Sequence, residues 1–471
     1  MKYRQYAEDG MSDRPTYVER RVTVHADPLE LAAALIASAA HTTYALYERH
    51  GEWSAALGAA YEIVVDRDDV LVSSAAGAQR IEGVDLASML DNAIASVPLR
   101  GFRAYGTASF ELAYRYHGLS GNPAKESLLH LCVPESEIRL REGTALVRAL
   151  TLAEVERLVG LVNRLDAAAV RDGAGAEMPP RATGDIVDLG TGSAKYKQLV
   201  ALATQDIAAH GLDKVIASRR VPIACPIDLV ASYVAGRRRN NPARSFLVKR
   251  GDLQFAGFSP ETVLEVSSDG TVTTQPLAGT RALVENDAEN HGLRSELLRD
   301  TKELAEHALS VRLAFEELAH VCTAGSVAVT DFMSVSPRGT VQHLASRLSG
   351  TLDENKSAWN AFQALFPGVT ASGVPKREAL EWIRNHEPHR RGLYAGAMMF
   401  IDDDGAMDAA LILRTVFQYG GDAWLQAGAG IVAQSTPDRE FEETSEKLLC
   451  VARDLVPRNP STARVRHAES R

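Results

Sequence analysis

The stretch "QAGAGIVAQSTPDREFEETSEK", residues 426–447, decides how this chain is read. Its first half continues "AWLQ" at 423–426 as a strand of small and branched apolar residues. In its second half Thr436, Pro437 and Asp438 supply a cap, a first-turn proline and an acid favoured by the helix dipole, so a helix starts there. Just upstream, "LYAGAMMFID" and "MDAALILRTVFQ" read as strands with no helix between them. Successive strands closed by a helix predict a meander, and therefore an α+β fold rather than repeated βαβ units.

Working outward, "SFLVKRGDLQFAGFSPETVLEVSSDGTVTTQPL" reads as a run of short strands with Gly turns, and "SVAVTDFMSV" and "GTVQHLASRLSG" as two more. "KVIASRR" is a strand and "PIDLVASYVAGRRR" a helix. Further helices are expected near 355–365 and 375–386, and one long helix over roughly 293–318. Ser193 is expected to cap the helix "AKYKQLVALATQDIAAH", which Gly211 closes. In the N-terminal part, Asp27 and Pro28 begin a helix whose apolar pattern runs on to Gly51. "YEIVVDRDDVLVSS" reads as two strands, "GFRAYGTASFELA" and "EIRLREGTALVRAL" as β-rich, and "TLAEVERLVGLVNRL" as a helix. Residues 166–192 read as a surface linker without periodicity, and 456–471 as a disordered tail.

Composition narrows the function classes. With 45% hydrophobic and 24% charged residues in 471, the chain can bury a large core. A net charge of −10 argues against nucleic acid or an anionic membrane as partner. The four cysteines (Cys132, Cys225, Cys322 and Cys450) form no CxxC pair, so neither a disulfide framework nor a thiolate zinc site is indicated. The N-terminal residues carry no apolar signal core, and no run approaches membrane-spanning length. A cytoplasmic location is expected.

Five carboxylates crowd 437–447, and on a helix Glu440, Glu443 and Lys447 share one face while Glu442 and Glu446 share another. Alone, such a run reads as a solvated surface. A second pair, Glu303 and Glu306 in "LLRDTKELAEHALSVR", has the same i, i+3 spacing, although Asp300 and Glu303 also fit a capping arrangement. Two helices that each present an acid pair can converge on one divalent cation, and an all-oxygen set favours Mg²⁺ over zinc.

With these segments in view the chain resembles the chorismate-utilising enzymes, the anthranilate synthase component I-like family. The resemblance covers about 193–455 and rests on "KVIASR", "FAGFSPETVLEV", "QPLAGTRA", "DTKELAEH", "VQHLASRLSG", "LFPGVTASGVPK", "GLYAGAMMF", "LILRTVF" and the opening stretch. "DFMSV", "VQHLASR" and "AGAGIVAQSTPDREFEET" are most similar to the salicylate synthases of siderophore pathways, and "GFRAYGTASFELA" resembles their N-terminal part. One departure is Thr301, where the family pattern has proline. The resemblance implies one large α+β domain of antiparallel sheets flanked by helices. Residues 1–192 would be its N-terminal part and 193–455 its chorismate-binding region.

The resemblance also assigns roles. Glu303, Glu306, Glu440 and Glu443 would face Mg²⁺, leaving Glu442 and Glu446 to water. Lys214 would be the base that activates water, where ammonia-using relatives have glutamine; a lysine amine removed from water is more readily neutral. Glu261 would be the general acid, since a carboxyl withdrawn from water can stay protonated near neutrality. Ala278 stands where aminodeoxychorismate synthases place a nucleophilic lysine, which excludes that covalent route. Gly279 and Thr280 would line the ring site and His343 would orient it. Tyr394, Arg414 and the backbone at Gly428 and Gly430 would hold the enolpyruvyl carboxylate, with Lys447 balancing the acids.

The expected activity is a Mg²⁺-dependent salicylate synthase acting through isochorismate, on chorismate as a small-molecule substrate. The chain is expected to be a monomer without a glutamine amidotransferase subunit. The alternatives are an isochorismate synthase that stops at the first product, and a non-catalytic chorismate-binding protein.

Overall fold

The computed structural model describes residues 14–458, apart from 40, 68, 120–126, 173–185, 285 and 340. The deciding stretch forms as read, with a strand at Asp422–Ile431 and a helix at Pro437–Ala452. Among the described residues the strands gather into one sheet of eleven and one of twelve, with antiparallel pairing. Each sheet mixes early and late chain. Thr43–Arg49 pairs with Arg244–Arg250 in the first sheet, and Arg103–Ala108 with Ala397–Asp402 in the second.

A core of Tyr47, Phe246, Phe255, Phe400 and Phe417 is buried among the side chains that join the two sheets. Tyr47 meets Phe400 edge-on at 5.7 Å between ring centroids. Rings this deeply buried contribute on the order of 1.5–3 kcal/mol each, which makes this layer the main adhesive between sheets. A second core includes residues of the helices Pro28–Ser38, Leu152–Asp172 and Leu229–Arg239. Asp27 caps the first as read, accepting from the amides of Leu29 and Glu30, and Asp228 caps the third by accepting from that of Ala231.

Several expected boundaries move. The first helix ends at Ser38 instead of Gly51, and Thr43–Arg49 becomes a strand between two partners. Its threonine and aromatic content, with pairing on both sides, outweighs the helical spacing. The long helix over 293–318 is two helices, Asp287–Leu297 and Thr301–Ala319. Asp300 caps the second by accepting from the amides of Lys302 and Glu303, so Thr301 in place of proline leaves that helix start intact. Gly192, in the left-handed region at φ 78°, occupies the cap position expected for Ser193, which is the first helical residue.

The expected linker is partly structured. The Leu152–Asp172 helix runs into it, Val187 is buried, and the Ile186 carbonyl accepts from Ala224 N at 3.0 Å. Residues 173–185 lie outside the described residues, as does 459–471 of the expected tail. Before that point Pro457 is bridged to Ile227 and Val456 N donates to Ser232.

The change that matters most for the site concerns "MDAALILRTVFQ". It is not one strand: Met407–Leu411 belongs to the second sheet and Thr415–Tyr419 to the first. The chain crosses between sheets at 412–414, and Arg414 sits there at φ 49°.

Candidate active site

A cavity of about 570 Å³ opens where the first sheet's Lys214–Pro222 and Asp422–Ile431 strands approach the second sheet's edge strand Leu277–Ala282. The helices Thr301–Ala319 and Pro437–Ala452 contribute its acidic wall. All fourteen side chains and glycines singled out from the sequence line this one cavity.

Lys214 starts its strand, is only 3% exposed, and donates from Nζ to Glu306 Oε1 at 2.5 Å. Space for it comes from Gly430 on the neighbouring strand, where a Cβ would lie 2.9 Å from Lys214 Cε. A Cβ at Gly428 would likewise lie 2.8 Å from the Ala217 carbonyl and 3.0 Å from the Tyr394 hydroxyl. These two glycines therefore make room for Lys214 and for the Tyr394 hydroxyl.

Glu261 is buried, and the Thr370 hydroxyl lies 2.9 and 3.0 Å from its two carboxyl oxygens. Burial raises its carboxyl to about 8, against the lowering pull of Thr370, the Leu277 amide and the charge of Lys214. At pH 4 the group is mostly protonated both folded and unfolded, so it costs little. As pH rises from its ordinary value of 4.5 towards 8, only the unfolded chain ionises, and the fold loses stability. Glu261→Gln is therefore expected to stabilise the protein at pH 8 by about 2–4 kcal/mol and hardly at all at pH 4. Urea unfolding at both pH values checks this, and an equal gain at both would contradict it.

The Leu277–Ala282 side of the cavity is shaped by a β-bulge. Pairing against Val341–Thr351 slips between Ala278 and Thr280, with Gly279 at φ +81°. This places the Thr280 amide 3.1 Å from Glu303 Oε2 and the Thr280 hydroxyl 2.9 Å from His343 Nδ1. The other ring nitrogen, Nε2, lies 2.8 Å from Arg414 Nη2. Burial first, then the charges of Arg414 and Lys447, hold His343 well below the usual imidazole range, so the ring is neutral. Arg414 and Ala395, the residue after Tyr394, both occupy the left-handed region. Non-glycine residues there cost about 1–2 kcal/mol each, a strain maintained beside two side chains of the site.

The acidic wall fits a divalent cation in kind, although its side chains are not gathered around one. Among the described residues no group of three acid, His or Cys side chains is placed to hold a metal as it stands. Positive side chains engage three of the four glutamates: Lys214 holds Glu306, Lys447 holds Glu443 at 2.8 Å, and Arg281 lies 3.3 Å from Glu303. Glu440 is 3% exposed and its Oε2 has no hydrogen-bond partner among the described residues. Burial, then repulsion from Glu306, raises the Glu303 carboxyl; burial and Glu443 raise that of Glu440. Buried, mutually repelling oxygens with one left orphaned are a donor set short of positive charge. Glu442 is exposed, as expected; Glu446 is also exposed but lies at the cavity rim, paired with Arg439.

Sequence reasoning missed Thr370, Arg281 and Gln426. Thr370 lies in "LFPGVTASGVPK", and nothing in that motif marks a partner for a glutamate over a hundred positions away. Arg281 follows Thr280 on the same strand, and strand alternation gives no reason to expect both neighbours at one cavity. Gln426, at the head of the deciding stretch, donates to Ser218 and lines the cavity floor.

The family model described as chorismate binding enzyme matches residues 40–453. A salicylate synthase of Mycolicibacterium paratuberculosis is 39% identical over 448 residues, 92% of this chain and 95% of that protein. Anthranilate synthase component 1 of Spirochaeta aurantia is 37% identical over 55% of this chain and 54% of its own length. Among solved structures, anthranilate synthase component I of Streptococcus pneumoniae superposes with a TM-score of 0.71 at 26% identity, covering 85% of this chain and 92% of that one.

Proposed function

Because the chain belongs to the chorismate-utilising enzymes, we propose that it is a Mg²⁺-dependent salicylate synthase. The observation that carries this reading is the likeness to a salicylate synthase along nearly the whole chain, where the anthranilate synthase match spans only about half. The buried lysine at 214 agrees with it, as a base for water in a cavity wide enough for one substrate.

The first step adds water at C2 of chorismate and expels the C4 hydroxyl. In its neutral form Lys214 takes a proton from the attacking water, the ring double bonds shift, and Glu261 gives its proton to the departing hydroxide. Glu261 suits this part because its carboxyl stays protonated to about 8, and turnover is expected to fall as pH rises through that value. Glu303, Glu306, Glu440 and Glu443 would hold the cation, which when bound would offset their charge and supply an electrophile at the ring carboxylate. Thr280 lies beside that carboxylate, while Tyr394 and Arg414 orient the enolpyruvyl end.

The second step moves hydrogen from C2 to the enolpyruvyl methylene as the C3–O bond breaks, releasing pyruvate and leaving the aromatic ring of salicylate. It draws on shape and orientation rather than on an acid or base. The same reading makes the protein a cytoplasmic monomer that uses water and needs no amidotransferase subunit, its product destined for siderophore or other natural-product assembly.

The test is purified protein with chorismate, with and without Mg²⁺, followed by chromatography and salicylate fluorescence. Salicylate and pyruvate in equal amounts, only with Mg²⁺, are expected. Isochorismate accumulating alone would make it an isochorismate synthase, and no turnover would leave a chorismate-binding protein.

A further inference from the structure

We infer that His343 is a fixed coupler, locked as the neutral Nδ1–H tautomer, which turns the Thr280 hydroxyl into a donor for one ligand carboxylate and ties it to Arg414 at a second. The inference rests on the proposed dicarboxylate substrate for its consequence, but not for its geometry.

Arginine carries five N–H donors, no acceptor, and does not lose its proton in proteins. The 2.8 Å contact between Arg414 Nη2 and His343 Nε2 therefore requires a lone pair on Nε2. That excludes both the Nε2–H tautomer and the imidazolium, leaving the hydrogen on Nδ1. Nδ1 lies 2.9 Å from Thr280 Oγ1, and the Gly279 backbone also supports a proton on this ring. Thr280 Oγ1 thus receives a hydrogen from the ring and keeps its own to give away. Thr280 lines the cavity, so the recipient is a ligand acceptor there.

The far end is similarly committed. Arg414 spends one N–H on His343 and one on the Arg338 carbonyl at 3.0 Å, which leaves three for a second anion. The result is a directed chain, Arg414 to His343 to Thr280 to ligand, in which each donor polarises the next. Its cross-strand half is set by register, because Thr280 and His343 face each other across the bulged pair. A ligand with a carboxylate at each end engages both termini of the chain, whereas a monocarboxylate engages one. His343 is in this sense a positioning residue that favours dicarboxylates.

The test is long-range ¹H–¹⁵N spectroscopy of protein labelled at histidine nitrogens, with the His343 signals assigned by their loss in His343→Asn. The wild type is expected to show the neutral Nδ1–H pattern at pH 7. Arg414→Met, which removes the donor to Nε2, is expected to bring up the Nε2–H form to a comparable population. Arg414→Lys, which keeps a cationic donor, should restore the wild-type pattern. An Nε2–H or imidazolium signal in the wild type overturns the coupler, as does a tautomer ratio indifferent to Arg414→Met. Because the wild-type spectrum alone can overturn it, the test survives a variant that fails to fold. Chorismate assays separate the two claims: an Nδ1–H spectrum in a protein that does not turn over chorismate upholds the coupler and removes the substrate. With turnover present, Thr280→Val should raise the KM for chorismate about tenfold and Thr280→Ser should leave it near wild type, as expected for one hydrogen bond to a charged group.

Discussion

Lys214→Ala is expected to lower water addition to chorismate by about 10²–10⁴-fold, the usual worth of a positioned base, while pyruvate release from supplied isochorismate is expected to stay measurable. In the proposed mechanism the two halves separate because only the first needs a proton removed from water. The substitution also leaves Glu306 without its 2.5 Å partner, so some disturbance of the acidic wall is unavoidable. Supplying isochorismate controls for that disturbance, since the proposed second half would use the same cavity. Near-normal chorismate turnover would end the base assignment. Equal loss of both activities would recast Lys214 as a structural counter-charge for Glu306.

Chelation of divalent cations is expected to abolish turnover, and Glu440→Gln to weaken the metal titration at least as much as the ~10–100-fold typical of losing an outer-shell partner. Glu440 is the informative position because, among the described residues, its buried Oε2 has no hydrogen-bond partner, whereas the other three acids are engaged by Lys214, Lys447 and Arg281. Converting it to an amide removes a charge that Lys302 and Lys447 offset only at a distance, since no ion pair to Glu440 forms among the described residues. Mn²⁺ binding followed by electron paramagnetic resonance reads the effect without any turnover. A titration matching that of the parent would mean that the inner face of the Pro437–Ala452 helix is not a metal face.

The sequence disclosed the site more fully than the path of the chain around it. Local chemistry stands in local motifs: an i, i+3 acid pair or a glycine between strands survives any error in where an element ends. The boundaries failed where tertiary pairing decided the outcome. Thr43–Arg49 lies within a helical spacing pattern and becomes a strand only because two neighbouring strands claim it. The crossing at 412–414 was invisible because apolar residues fill both flanks and neither glycine nor proline marks the break. Thr370 and Arg281 escaped for a related reason, since their importance lies in what they touch, and those contacts are made by the folded sheet edges.

The interleaving of early and late chain in both sheets has a consequence for how the protein is made. Strands translated first, such as Arg103–Ala108, have a neighbour that emerges almost three hundred residues later, at Ala397–Asp402. Until then that edge stands open, and the growing polypeptide on the ribosome carries unpaired hydrogen-bonding groups and bare apolar surface. Production of active protein should therefore depend on chaperones that shield the nascent chain, and cutting translation short by even the last strands should give insoluble material instead of a smaller working enzyme. Solubility of a truncation series ending before and after residue 431, the end of the Asp422–Ile431 strand, would show where release becomes safe.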